Sequence, residues 1–139
     1  MTARRLLDPL AGQGPALAAV AVGGAVGALA RHAVGVAAPH RPGTFPWAVF
    51  GVNVTGCLLI GVLIVAVTEG RRVPALARPF LGTGVLGGYT TFSTYAVDGL
   101  TLLGTGDVAT AAAYVVGTLV AAVAATWLGL RLARAVLHR

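Results

Sequence analysis

Hydrophobic residues occur in four long runs along this chain, separated by short segments rich in polar residues, glycine and proline. The runs cover residues 16–38, 47–67, 79–103 and 108–130. About 20 consecutive apolar residues are enough for a helix to cross a bilayer, and the runs are of about that length. The pattern predicts an all-α membrane protein with four transmembrane helices. A membrane domain is predicted at 16–130. Residues 1–15 are predicted to form a tail before it and residues 131–139 a tail after it.

The third run differs from the others because it is polar at its centre. Gly87 and Gly88 stand there, followed by six hydroxyl-bearing residues in the seven positions 89–95. A glycine pair beside Thr90 and Thr91 predicts a helix broken near its middle. Freed backbone groups persist at membrane depth only where protein buries them or a cavity supplies water, and such breaks often hold an ion. A simple kink remains the alternative.

The composition excludes several classes of protein. Hydrophobic residues make up 57% of the chain and charged residues 10%, so the chain lacks the polar residues that a water-soluble globular domain needs for its surface. The net charge of +6 is too sparse and scattered to form a nucleic-acid-binding face. The single cysteine, Cys57, excludes an internal disulfide.

The arginines predict the orientation in the membrane. Short connections make successive helices cross in opposite directions, so both termini lie on the side of the link between the second and third helices. That side carries eight arginines, whereas the opposite loops carry only Arg41. Positive residues mark the cytoplasmic side, so both termini are predicted to be cytoplasmic in a multi-pass plasma-membrane protein. The eight are Arg4, Arg5, Arg71, Arg72, Arg78, Arg131, Arg134 and Arg139.

Few polar side chains fall inside the predicted helices. Asn53 lies in the middle of the second, where its amide is expected either to form an interhelical hydrogen bond or to line an aqueous path. Arg31 lies near the outer end of the first, where it can snorkel to the headgroups or attract an anion. Asp98 is expected to be an interfacial residue, and Ser93 has no histidine or lysine base within reach inside the membrane. No enzyme activity is predicted, which leaves a passive path or a structural subunit.

Three motifs resemble one family of membrane proteins. They are the GGAVGALAR segment at 23–31, the NVTG segment at 53–56 and the GVLGGYTTFSTY segment at 84–95. Together they are similar to the CrcB/Fluc fluoride channels, over residues 16–130. The glycine pair followed by TTFST is the most specific of the three.

The resemblance implies a fold, a function and site residues. It implies an antiparallel dimer of four-helix subunits that lets fluoride leave the cytoplasm passively, after entering the cell as the neutral acid. Backbone carbonyls of Gly87 and Thr90 would bind a structural sodium ion at the dimer interface. A role for Arg31 is expected to be structural or electrostatic. The implied fluoride pathway consists of Asn53, Phe92, Ser93, Thr94 and Tyr95.

Two departures from the family pattern leave alternatives open. Tyr95 replaces the usual second phenylalanine and either adds a hydrogen-bond donor to the pathway or narrows it. The excess of arginines on one side is unusual for a homodimer of oppositely inserted copies, and it favours pairing with an oppositely oriented homologous subunit. A non-conducting partner subunit is a further alternative. A small multidrug-type antiporter is the last one, although the first helix lacks the glutamate expected of that class.

Overall fold

The protein is described by a computed structural model that covers residues 12–70 and 73–137. These residues are helical apart from short connections, and they include no β-strand, which confirms the predicted all-α class. The elements are α1 (Gly14–Ala37), α2 (Trp47–Thr68), a π-helix (Arg78–Leu86), the single turn α3 (Gly87–Tyr89), α4 (Phe92–Gly104) and α5 (Val108–Leu137).

Helix boundaries follow local residue chemistry. A proline stands in the first turn of α1, where it costs no hydrogen bond, and α1 ends just before Pro39. The turn before α5 contains Gly106 with a φ of 82°, followed by Asp107. The Asp107 carboxylate accepts hydrogen bonds from the hydroxyl and the amide of Thr110, at 2.6 and 3.0 Å, and so caps the first turn of α5. These hydrogen bonds lower the pKa of the Asp107 carboxyl below its usual value.

Three helices in the described part of the chain, α1, α2 and α5, are long and apolar enough to cross a membrane. They coincide with the first, second and fourth predicted helices. The region of the third, residues 79–103, is divided among the π-helix, α3 and α4.

The last helix is longer than expected. It continues to Leu137 through most of the segment assigned to a terminal tail, because leucines, alanines and arginines that favour helix follow residue 130. Arg134 ties this extension to the end of α2, with its Nε atom 2.9 Å from Oε1 of Glu69. The predictions for Arg4, Arg5, Arg71, Arg72 and Arg139 lie outside the described residues.

Glycines bring two pairs of helices into backbone contact. A methyl group added at Gly27 of α1 would collide with the carbonyl oxygen of Val85 in the π-helix. A methyl group at Gly61 of α2 would collide with the carbonyl oxygen of Thr126 in α5. Close approach through small residues is how helices associate in lipid, where no hydrophobic force drives them together.

A cluster of buried side chains lies at the end of the bundle where α1 joins α2 and α4 joins α5. Leu102, Ala111 and Tyr114 form a fully buried cluster there, and Phe45, Phe50 and Tyr95 pack against it. Elsewhere large apolar side chains such as Leu119 and Val123 of α5 are exposed, as suits a surface that faces lipid or another subunit. The buried cluster fixes the positions of α4 and α5, which flank the candidate site.

Candidate functional site

The helical path is interrupted between α3 and α4 at two threonines. Thr90 and Thr91 have extended backbones, with φ/ψ of −76°/159° and −147°/123°. Thr91 then caps α4, since its Oγ1 atom accepts a hydrogen bond from the amide of Thr94 at 3.2 Å. Thr90 is held from the other side, because both its amide and its hydroxyl donate to the carbonyl of Leu86.

Asn53 of α2 supplies the hydrogen-bond partners that the interruption removes. Its Nδ2 atom donates to the carbonyl of Thr91 at 3.0 Å, and its Oδ1 atom accepts from the amide of Thr91 at 2.9 Å. Both backbone groups of Thr91 are thereby satisfied by one side chain. Asn53 therefore makes the interhelical hydrogen bond considered from the sequence, and it also borders the cavity described below.

Arg31 of α1 is directed at the same region. Its Nε atom donates to the carbonyl of Gly88 in α3 at 3.1 Å, and its side chain is partly buried. The guanidinium therefore reaches into the bundle instead of extending to the headgroups. This contact ties α1 to the turn that precedes the interruption.

The carbonyls of Gly87 and Thr90 are among the groups at the interruption that accept no hydrogen bond from the described residues. The amide of Thr91, which would reach back to Gly87 in a continuous helix, is bonded to Asn53. The amide of Thr94, which would reach back to Thr90, is bonded to the Thr91 hydroxyl. Within the described residues no other donor contacts the carbonyls of Gly87 and Thr90. Two hard oxygen acceptors are thus left free three residues apart.

A cavity of about 430 Å³ lies beside the interruption, between α2, α4 and α5. Its polar lining comes from Asn53, Thr90, Thr91 and Thr118, and its aromatic lining from Phe92 and Tyr95. The rings of Phe92 and Tyr95 lie 5.7 Å apart at an angle of 45°. Phe92 is 80% exposed, so one copy of the chain leaves this aromatic wall open.

The other predicted pathway residues lie elsewhere. Thr94 borders a second cavity of about 530 Å³ between α1 and α2, together with Arg31 and His32. Thr91 borders both cavities and forms the wall between them. Ser93 borders neither, and its hydroxyl lies 3.4 Å from that of Thr91. Of the five residues predicted to form one pathway, three border the first cavity, Thr94 borders the second and Ser93 borders neither.

Tyr95 uses its hydroxyl to hold α4 against α5. The hydroxyl donates to the carbonyl of Val115 at 3.0 Å, so its proton does not point into the cavity. The ring lies 5.4 Å from that of Tyr114, which is fully buried. Of the two alternatives left open by the sequence, an added donor finds no support in this geometry.

Thr118 and Tyr114 of α5 are site residues that the sequence reasoning missed. Thr118 is only 4% exposed, and its Oγ1 atom has no hydrogen-bond partner among the described residues, although it belongs to the cavity lining. An unpaired buried hydroxyl is costly unless a water, an ion or another ligand bonds to it. The signal in the sequence was the spacing of Tyr114 and Thr118, four residues apart on one face of an otherwise apolar helix.

Similarity to known proteins identifies the family. Residues 18–130 match the family described as CrcB-like protein, Camphor Resistance (CrcB). The chain is 52% identical over 125 residues to fluoride-specific ion channel FluC 1 of Streptomyces coelicolor, which covers 90% of this chain and 81% of that protein. It is 43% identical over 119 residues to fluoride-specific ion channel FluC of Nitrobacter winogradskyi. That match covers 85% of this chain and 94% of the relative. The resemblance seen in the three motifs is thus confirmed, and the chain belongs to the CrcB-like family.

Proposed function

We propose that this protein is a subunit of a fluoride-selective channel, through which fluoride leaves the cytoplasm without an energy source. The proposal rests above all on the similarity, since relatives that match over most of their own length are named fluoride-specific ion channels. The cavity beside the interrupted helix supports it. An ion channel replaces the hydration shell of the permeating ion with many weak contacts. The hydrogen-bond donors that line this cavity can make contacts of that kind with an anion.

Three groups in the cavity are suited to fluoride. Asn53 has two N–H groups and donates one to Thr91, which leaves the second for an anion. The Thr118 hydroxyl has no partner among the described residues. The exposed ring of Phe92 offers its positive edge. Thr94 would add a hydroxyl group on the far side of Thr91, and Ser93 would contribute only through its contact with the Thr91 hydroxyl.

A dimer would complete this site. Phe92 lies almost fully exposed on the surface of a single copy, and a second subunit would close the aromatic wall. The arrangement proposed is an antiparallel pair of subunits. In each subunit the π-helix, α3 and α4 together form the third, broken span. The partner is either a second copy or an oppositely oriented homologue, and the uneven arginines favour the homologue.

The carbonyls of Gly87 and Thr90 fit a structural sodium ion. Both accept no hydrogen bond from the described residues, and hard oxygen atoms are the ligands that such a cation prefers. A bound sodium ion would supply a fixed positive charge near the dimer axis. Arg31 holds the neighbouring Gly88 carbonyl and thereby orients this turn.

Reconstitution tests the function directly. The protein is purified alone, incorporated into liposomes loaded with fluoride or with chloride, and efflux of each anion is recorded with an ion-selective electrode. Rapid efflux of fluoride but not of chloride supports a selective channel formed by one kind of subunit. Efflux that begins only when an oppositely oriented homologue is added supports a heterodimer. Absence of efflux in both cases contradicts the channel proposal and leaves a non-conducting partner subunit.

A further inference from the structure

An ionisable pair is connected through Tyr114 to the aromatic wall of the cavity. His40, in the loop between α1 and α2, has its Nε2 atom 3.9 Å from Oδ1 of Asp98 on α4. The other oxygen of Asp98 lies 3.5 Å from the hydroxyl of Tyr114. The ring of Tyr114 packs at 5.4 Å against that of Tyr95, which lines the cavity. Contacts thus run without a gap from the cavity to His40.

The two members of the pair differ in access to water. The Asp98 side chain is 13% exposed, whereas that of His40 is 33% exposed. Protons from solution therefore reach His40 readily, while Asp98 lies behind it in a largely apolar setting. Within the described residues His40 is the only basic side chain within 4.0 Å of the Asp98 carboxylate.

Other ionisable groups at this end of the bundle have separate positions. Arg41 follows His40 in the same loop, and Tyr114 contacts Asp98 from α5. Asp107, in the turn before α5, has its carboxylate bonded to Thr110. Arg31, near the end of α1, donates to the carbonyl of Gly88. His32 follows Arg31 on α1 and borders the second cavity, so two histidines lie at this end of the bundle, and His40 is the one in contact with Asp98.

We propose that His40 sets the electrostatic potential at this end of the fluoride path, so that conduction increases as the pH falls. Protonation of His40 adds one positive charge beside Asp98. That charge offsets the negative charge of the carboxylate and raises the local concentration of an anion. The inference rests on the proposed function, because a changed potential alters conduction only if an anion passes this end.

The size of the effect follows from a screened charge near a pore mouth. A unit charge at about 10 Å in water changes the rate of anion passage by about twofold at low salt and by less once salt screens it. With this end outside the cell, as the arginines predict, the channel would conduct best in acid surroundings. Those are the conditions under which fluoride enters cells as the neutral acid.

The test compares histidine variants in liposomes held at the same pH on both sides, which makes the orientation of the subunits irrelevant. Fluoride efflux is measured at pH 7.5 and pH 5.5, and the leak of protein-free liposomes at each pH is subtracted. For the wild type in low-salt buffer we expect efflux up to about twofold faster at the lower pH. His40→Gln should lose this ratio and remain at the slow rate, whereas His40→Arg should lose it and remain at the fast rate.

His32→Gln is the matched control, because His32 is the other histidine in the described residues and lies on α1 away from Asp98. It should retain the wild-type ratio. A ratio of one in the wild type, or a wild-type ratio in His40→Gln, would overturn the inference while leaving the channel intact. A wild type that passes no fluoride at either pH would instead contradict the proposed function.

Discussion

Asn53 and Thr91 exchange two hydrogen bonds, at 2.9 and 3.0 Å, in the manner of two residues in a β-ladder. The side chain of Asn53 thus replaces the backbone hydrogen-bond partners that Thr91 would have in a continuous helix. Because the second N–H of Asn53 is not used in this pairing, the residue is able to support the fold and to donate to a ligand at the same time. Substitutions at position 53 are expected to separate these two roles.

Asn53→Ala and Asn53→Asp form an informative pair. Both variants lose the donor to Thr91, and each should destabilise the protein by about 1–3 kcal/mol, because a buried backbone carbonyl is left unpaired. Only the aspartate adds a negative charge to the cavity, so it should slow fluoride efflux more than the alanine does. Thermal unfolding in detergent measures the first effect and liposome efflux the second. Equal efflux in the two variants and in the wild type would remove Asn53 from the path.

Phe92→Ile tests the exposed aromatic side of the cavity. Loss of a ring edge that contacts the anion should slow fluoride efflux by about fivefold or more, since such a contact contributes about 1 kcal/mol or more. Assembly should be retained, because the side chain is exposed in a single copy and an apolar residue replaces it. Efflux and the elution volume of the purified complex are measured together.

The control for this change is Phe80→Ile, in the π-helix, which does not line the cavity. It is expected to retain most of the flux. If Phe92→Ile conducts as well as the control does, the ring has no part in conduction.

Thr118→Val removes the unpaired hydroxyl at nearly constant volume. We expect fluoride efflux to slow by about fivefold, because the ligand loses a hydrogen-bond donor worth about 1 kcal/mol. We also expect a more stable protein, because the variant no longer buries a hydroxyl without a partner. Heat stability and fluoride efflux therefore change in opposite directions. Thr101→Val provides the comparison, since the hydroxyl of Thr101 is bonded to its own helix at 2.9 Å. A destabilised Thr118→Val protein would indicate a structural hydroxyl.

Gly27→Ala tests the contact between α1 and the π-helix. The added methyl group meets the carbonyl of Val85, so the two segments must separate, at a cost of about 1–3 kcal/mol or more. Gly24→Ala makes the same chemical change three residues earlier, where the new methyl group meets no atom within 4 Å. The fraction of protein that stays monodisperse after heating should fall for the first variant and not for the second. Similar losses in both would assign the effect to the helix itself.

The sequence predicted the fold class and the ends of α1 and α2 closely, because apolar run length and proline positions determine both. Gly87, Gly88 and the two threonines predicted a break or a kink in the third helix, and the structure has extended backbone at Thr90 and Thr91. The direction of Arg31 was not, since its partner at Gly88 depends on how α1 packs against a segment far along the chain. Thr118 was missed because one hydroxyl in an alanine-rich helix is ordinarily bonded to its own backbone, and only the structure reveals that this one is not.

The order in which the chain is made adds a requirement for Arg31. Its carbonyl partner at Gly88 is synthesised 57 residues after it. During synthesis α1 therefore enters the bilayer before the Gly88 carbonyl is present to accept a hydrogen bond from the Arg31 guanidinium. A charge held at the membrane centre costs about 2.5–3.5 kcal/mol. Until the turn at Gly87–Tyr89 emerges, the arginine is expected to stay near the lipid headgroups. We therefore expect α1 to reach its final depth in the membrane late in biogenesis, when Arg31 can donate its hydrogen bond to Gly88.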